Sequence, residues 1–448
     1  MKKKDLAENI AKIEKKAANK DPQVVTFGCR LNMHESEVMR DHARNAGLED
    51  VIIFNTCAVT KEAERQARQA IRRAKRENPD SQIIVTGCSA QINPNQYADM
   101  KEVDRVLGND VKLQAESWGA PAHARILVND IMSVKETAGH LIDGFEDRTR
   151  AFLQVQNGCD HRCTFCIIPY GRGNSRSVPI GVIAKQVHAL VEAGYKEIVF
   201  TGVDVTSYGQ DLPGTPSLGQ MLRRVLALVP DLPRVRLSSL DPVEIDADLW
   251  RLIADEPRLM PHLHLSVQAG DDLILKRMKR RHLRQDVIDV CKKAKELRPD
   301  MAFGADLIAG FPTESDEMFE NTVRLVEECD LTFLHIFPYS ERDGTPAVKM
   351  PQVSPAIRKK RAARLRALRE TQMQAFLSAN VGRETQVLVE KDGLGRAENF
   401  ASVQFDKPLE VGSLAFVRID GVSGDVLKGS VLSATSSLSS PLREELRA

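Results

Sequence analysis

The chain has 448 residues, 42% of them hydrophobic and 28% charged, with a formal net charge of +1. The length allows roughly two to four domains, and the composition is that of a soluble globular protein. The near-neutral balance excludes a globally basic nucleic-acid binder, so a polyanion would be met by local patches, and no apolar run approaches the roughly eighteen residues of a membrane span.

Residues 1–20 hold neither a continuous apolar stretch nor a cleavage site, and read as a flexible Lys-rich extension of a cytoplasmic protein. Three β-branched and aromatic runs follow, QVVTFGC (23–29), VIIFNTC (51–57) and QIIVTGC (82–88), and each ends in a cysteine. Between them, 34–45 and 61–77 have helical character, followed by turn signals at Gly47 and at Asn78 with Pro79. Strand, helix and strand at this spacing predict parallel βαβ units with every strand C-terminus on one edge, where open α/β sheets bind ligands. Cys29, Cys57 and Cys88 should therefore converge. One such cysteine would read as a buried core residue; three at equivalent positions read as ligands of a 4Fe-4S cluster with one iron left open.

A second triad, Cys159, Cys163 and Cys166, follows the apolar run 151–155 as C-x3-C-x2-C. Three thiolates on one loop hold three irons of a 4Fe-4S cube and leave the fourth for a substrate, whereas electron-transfer clusters take four cysteines. Zinc is the alternative, with His161 as a fourth ligand, but the second distant pair usual in structural zinc sites is missing. A disulfide framework fits a chain of this size worse still. Cys291 and Cys329 lie in helical segments without metal spacing and read as structural.

From Phe152 to Ser340 strand-like and helix-like stretches alternate, with strands predicted at 151–156, 197–203, 234–240, 262–267, 302–309 and 333–338. Six βα repeats are too few for a closed eight-fold barrel and predict a partial (β/α)6 barrel, with the site on the loops after the strands. Gly202, Gln268 and Gly310 follow the second, fourth and fifth strands; each alone reads as a turn or rim residue. Arg172 and Arg176 could meet a carboxylate or phosphate, or sit solvated on the surface.

Residues 358–369, RKKRAARLRALR, hold seven basic residues and no acidic one. This stripe, with Lys359, Lys360 and Arg361 as its test residues, reads as an RNA-backbone surface or a solvated face, as does the basic helix 61–77. TQVLVE, ASVQF and SLAFVRIDGV, within 382–434, have the pattern of a small antiparallel barrel, and 437–448 reads as disordered.

These residues carry a resemblance. VQNGCDHRCTFCIIPYGRG is similar to the loop of the radical S-adenosylmethionine (SAM) enzymes, and two tri-cysteine clusters in this order resemble the methylthiotransferase branch of that superfamily. TFGCRLN, FNTCAVTKEAERQARQAIRR, VTGCSAQ, VFTGVDVTSYGQD, HLHLSVQAGDD, DLIAGFPTES and FLHIFPYSERDGTPA extend it along nearly the whole chain. The resemblance implies an α/β protein: an N-terminal methylthiotransferase domain (21–125) holding the auxiliary cluster, a linker (126–147), a radical SAM barrel with its basic helix (148–380) and a TRAM-like RNA-binding barrel (381–436). It implies two 4Fe-4S clusters, SAM near Gly202, Gln268 and Gly310, two SAM per product, an external electron donor and a monomer acting on tRNA. An electron at the Cys159, Cys163, Cys166 cluster would cleave SAM to methionine and a deoxyadenosyl radical that takes hydrogen from C2 of an adenine. A second SAM would methylate a sulfur held at the other cluster. NTCAVT, the cluster loop and FPYSERDGTPA look most like the branch acting on N6-threonylcarbamoyladenosine at tRNA position 37. The alternatives are N6-isopentenyladenosine at that position, an aspartate of a ribosomal protein and, of another class, a non-catalytic iron-sulfur RNA-binding protein. Neither the sulfur donor nor the residues touching the N6 group can be read from the chain.

Overall fold

The computed structural model describes residues 21–119, 124–135 and 148–435. The Lys-rich extension, most of the expected linker and the expected tail lie outside these residues. Strands β1 (Gln23–Thr26), β2 (Val51–Thr56), β3 (Gln82–Gly87), β4 (Arg105–Leu107) and β5 (Ile126–Leu127) form one parallel sheet in sequence order. Alternate residues bury against opposite layers, as a parallel sheet covered on both faces requires. Ile52, Phe54, Ile83 and Val85 meet Ala67, Ile71 and Ala74, whereas Val51, Ile53 and Ile84 meet Met39 and Ala43. The helices that supply these layers are α1 (Arg30–Asn45) and α2 (Lys61–Glu77). Thr60 caps α2, its hydroxyl accepting from the Ala63 amide. Helix α1 begins four residues before the predicted 34–45. Its polar first turn reads as loop, but Asn32 is buried there, its amide donating to Phe27 O at 2.7 Å and Thr56 O at 3.2 Å.

The central region runs through β6 (Arg150–Gln154), β7 (Gln156–Asn157), β8 (Arg176–Ser177), β9 (Glu197–Thr201), β10 (Arg234–Leu237), β11 (Ser239–Leu240), β12 (His262–Gln268), β13 (Ala302–Ala309) and β14 (Leu331–Pro338). Short helix α3 (Cys88–Ile92) precedes it, and α4 (Ile168–Arg172) lies between β7 and β8. The parallel order is β10-β9-β6 and β11-β12-β13-β14. The predicted strand 234–240 is thus broken at Ser238, whose amide donates to Phe200 O at 2.9 Å, and its two pieces join the sheets into an open barrel of six strand positions. Helices α5 (Ile180–Glu192), α6 (Leu218–Leu228), α7 (Ala247–Asp255), α8 (Arg284–Leu297) and α9 (Asp316–Glu328) make the crossovers. Cys291 and Cys329 are buried in this core, as expected of structural residues.

The basic segment is the start of α10 (Pro355–Ala379). It corrects the reading of Arg361: that side chain is buried, with Nη1 2.7 Å from Glu314 Oε2 and Nη2 2.7 Å from Asp316 Oδ1. Arg358 is buried beside it on Val353 O and Glu341, and Arg364 pairs with Glu320. One side of the stripe therefore fastens the helix to the barrel, and Lys359 and Lys360 face solvent.

Last comes a closed five-stranded barrel, β15 (Glu384–Lys391), β16 (Leu394–Ala397), β17 (Ser402–Phe405), β18 (Leu414–Ser423) and β19 (Val426–Thr435), in the order β15-β16-β17-β19-β18. The pairing of β17 with β19 is parallel; the rest is antiparallel. The turn after β16 meets the N-terminal ends of the central strands. Arg236 donates to Ala397 O and Glu398 O, both at 2.8 Å, and the Arg150 guanidinium is 2.8 Å from Glu390.

Candidate functional site

The first triad arises from one local device used twice. Gly28 and Gly87 take left-handed φ of +98° and +96°, so the chain turns sharply off β1 and β3 and places Cys29 and Cys88 at the starts of α1 and α3. A Cβ on Gly28 would lie 2.9 Å from Cys57 Sγ and one on Gly87 would run into Thr56 O, so the first turn packs on a cysteine and the second on the end of β2. Cys57 and Cys88 are buried and Cys29 is exposed. Burial, followed by the neighbouring Cys88, pushes the Cys57 thiol up to about 12.

The second triad sits on the loop between β7 and α4. Gln156 fixes its base: Nε2 donates to Gly158 O at 2.7 Å, and Oε1 accepts from the Val203 and Asp204 amides at 3.0 and 2.9 Å. Cys163 Sγ is 3.7 Å from Arg280 Nη1, and Arg280 is itself held by Asp241 Oδ2 and Ser266 O, both at 2.8 Å. Burial, followed by Cys163, pushes Cys166 up to about 12.

The helix that follows the second triad packs on the first. A Cβ on Gly171, in α4, would lie 3.1 Å from Cys88 Cβ, and Asn109 Nδ2 reaches both Gly171 O and Cys88 Sγ. Arg172, the next residue, is buried, with Nη1 2.7 Å from Glu35 Oε1 and Nη2 2.9 Å from Oε2. Lys112 Nζ lies 2.7 Å from the same carboxylate, and all three groups are closed to solvent. Burial would push Glu35 up, but Arg172 and Lys112 hold it at about 2. Two buried cations against one anion leave positive charge beside Cys29 and Cys88; burial raises the Cys29 thiol, and the Arg172 charge works against that rise. Arg172 is thus neither surface nor ligand-binding; the carboxylate it meets is the chain's own. Arg176 is likewise buried, donating to Arg172 O at 2.9 Å and Asn174 O at 3.0 Å.

The donor sets fit iron-sulfur clusters better than single ions. A lone zinc bound by three thiolates at about 2.3 Å draws the sulfurs close together. Among the described residues, the groups whose donor atoms all lie within 4.8 Å are Cys159 with His161 and Asp204, and His264 with Asp306 and His335; neither is a thiol triad. Hydrogen bonds from Asp204 and then Glu244 push His161 up to about 9, so the imidazole is engaged with these carboxylates.

Gly202 and Gln268 lie at the C-terminal ends of β9 and β12. A Cβ on Gly202 would fall 2.7 Å from Gln156 Oε1. Gln268 has φ +70° at a register shift in β12, which turns its side chain off the regular strand alternation. Gly310 is at the same edge after β13, but a Cβ there would lie 2.6 Å from Arg358 Cγ, and its amide donates to Glu314 at 2.9 Å. Lys359 and Lys360, on α10, are not gathered with the cysteines. Glu35, Lys112, Asn109 and Arg280 went unseen in the sequence, because their partners are 77, 62 or more than 100 residues away.

Residues 153–326 match the Radical SAM superfamily, and residues 22–108 match the uncharacterized protein family UPF0004. The chain is 57% identical over 406 residues to the threonylcarbamoyladenosine tRNA methylthiotransferase MtaB of Rickettsia prowazekii (strain Madrid E), covering 91% of this chain and 96% of that protein. It is 36% identical over 407 residues to the protein of the same name from Aquifex aeolicus (strain VF5), covering 88% and 98%. To the tRNA-2-methylthio-N(6)-dimethylallyladenosine synthase of Zymomonas mobilis subsp. mobilis (strain ATCC 31821 / ZM4 / CP4) it is 33% identical over 427 residues, covering 91% and 96%. Among solved structures, the radical SAM methyltransferase TsrM from Kitasatospora setae shares the fold at TM-score 0.51 and 14% identity, over 71% of this chain and 68% of that one.

Proposed function

The chain belongs to the radical SAM tRNA methylthiotransferases, and from that premise we propose that it places a methylthio group on C2 of N6-threonylcarbamoyladenosine at tRNA position 37. The observation that supports the two-cluster reading is the packing of α4, the helix that follows the second triad, on Cys88 of the first, close enough for the Cys88 charge to act on Cys166. The substrate reading is supported by 57% and 36% identity to relatives named for that nucleoside, against 33% to one named for the dimethylallyl nucleoside. Family membership removes the non-catalytic alternative.

Cys159, Cys163 and Cys166 would hold the cluster that binds SAM, and Cys29, Cys57 and Cys88 the auxiliary one. Bound there, the clusters and two SAM per product supply one-electron chemistry and a methyl group for a C–H bond too strong and unacidic for side-chain acid-base catalysis. The protein's work is placement. Arg280 steadies Cys163, Gln156 sets the loop against Gly202, and Arg172 locks α4 onto the auxiliary domain so that both sites keep their separation. Gly202 and Gln268 border SAM, and Gly310 shapes the turn beneath it. Exposed Cys29 marks the side from which the nucleoside enters. The protein acts as a cytoplasmic monomer with an external reductant, and the small C-terminal barrel and Lys359 with Lys360 contact tRNA.

Nucleoside mass spectrometry of tRNA from a deletion strain tests this. Loss of the 2-methylthio form of threonylcarbamoyladenosine is expected, with 2-methylthio-isopentenyladenosine retained. The reverse pattern would move the protein to the other branch.

A further inference from the structure

We propose that Arg30 is the receptor for the carboxylate of the N6 substituent, an inference that rests on the threonylcarbamoyladenosine reading. A carboxylate drawn out of water needs a cation not already paired. Buried cations around the triads are taken. Arg172 and Lys112 hold Glu35, Arg280 holds Asp241, and Arg342 holds Glu64. Arg162 is exposed and bonded to Cys159 O and Asn174. Arg30 opens α1 directly after exposed Cys29 and is half-buried. Among the described residues it makes neither an ion pair nor a side-chain hydrogen bond.

Its surroundings suit an anion. Asp306, on β13, is the first of two acids, with Glu197, whose charge reaches it. That carboxylate is occupied: Oδ1 accepts from His264 Nε2 at 3.1 Å and from His335 Nδ1 at 3.0 Å, and the two rings lie 4.7 Å apart. Glu197 is likewise taken, by Arg234 at 3.0 Å and Arg236 at 2.8 Å. An incoming carboxylate would supply the missing partner through two of the five guanidinium donors. The His335 side chain is 60% exposed, so this polar wall is open to a ligand.

The test is equilibrium binding of full-length, iron-reconstituted protein to an anticodon stem-loop carrying threonylcarbamoyladenosine, compared with the same RNA bearing the carboxylate as its methyl ester. Wild type should prefer the free acid by about tenfold or more. Arg30→Gln should bind both RNAs alike, and Arg30→Lys should keep part of the preference, with iron content measured for each. Wild-type discrimination in Arg30→Gln overturns the assignment and leaves the substrate reading intact. A wild type that binds the threonylcarbamoyl RNA no better than an isopentenyladenosine RNA overturns the substrate reading and the assignment with it.

Discussion

The Phe400 ring lies on the His262 imidazole, with centroids 4.5 Å apart and planes 23° from parallel. Phe400 has φ +74° in the turn after β16, and His262 opens β12, so a strained residue of the small barrel is inserted at the N-terminal mouth of the large one. Arg396, Arg236 and Arg150 surround the ring at 4.8, 5.2 and 5.6 Å. Phe400→Ala is expected to cost about 2–3 kcal/mol, below a full core truncation because the ring is half-buried. Urea midpoints that coincide with wild type would show that the ring carries no docking energy.

Anaerobic reconstitution should load about eight irons per chain, and the Cys159, Cys163, Cys166 triple alanine variant about four, with SAM cleavage abolished. The Cys29, Cys57, Cys88 variant should still form deoxyadenosine from SAM without transferring methylthio groups. One zinc and no labile sulfide would end the two-cluster reading.

The basic stripe divides into two kinds of residue. Lys359→Ala with Lys360→Ala should weaken tRNA binding and flatten the slope of log affinity against log salt by up to about 0.9 per lost contact. Arg361→Ala should instead lower stability, by about 1–3 kcal/mol, since it removes a buried donor from Glu314, a carboxyl that burial already pushes up to about 7 and that can then take up a proton. An unchanged salt slope in the double lysine variant would make those side chains merely solvated.

Glu197 gives the fold an acid limit. Burial would push it up, but Arg236, Arg234 and Arg150 hold it at about 2. Its folded value lies below the ordinary 4.5, so its contribution is present above pH 4.5 and lost as pH falls toward 2. Glu197→Gln should be less stable at neutral pH and show a flatter loss of stability across that window, read from urea midpoints. Parallel pH profiles for the two proteins would refute the linkage.

Much of this architecture is legible in the chain. β1, β2 and β3 announce themselves through β-branched runs, and the cysteine that closes each run points to one sheet edge, although β1 ends at Thr26, three residues before Cys29. β16, LGRA, has no β-branched residue, and β19, VLKGSVLSAT, is diluted by Gly and Ser, so the closed barrel shows only three of its five strands in sequence. Arg361 was misread because charge runs say nothing about which side of a helix is covered. For Arg172 the sequence offers a carboxylate partner without saying whose, because Glu35 lies 137 residues earlier.

That same separation orders the protein's synthesis. Glu35 and Lys112 leave the ribosome well before Arg172, so the N-terminal sheet is complete in strands while its buried charge network still lacks a member. A nascent chain stopped before α4 would hold Asn32 and Glu35 toward a missing partner, and the surface around Cys88 would be uncovered where Gly171 belongs. The N-terminal region should therefore be a poor free-standing fragment and a poor unit for exchange between relatives. Any recombination that separates residue 35 from residue 172 must carry both changes at once.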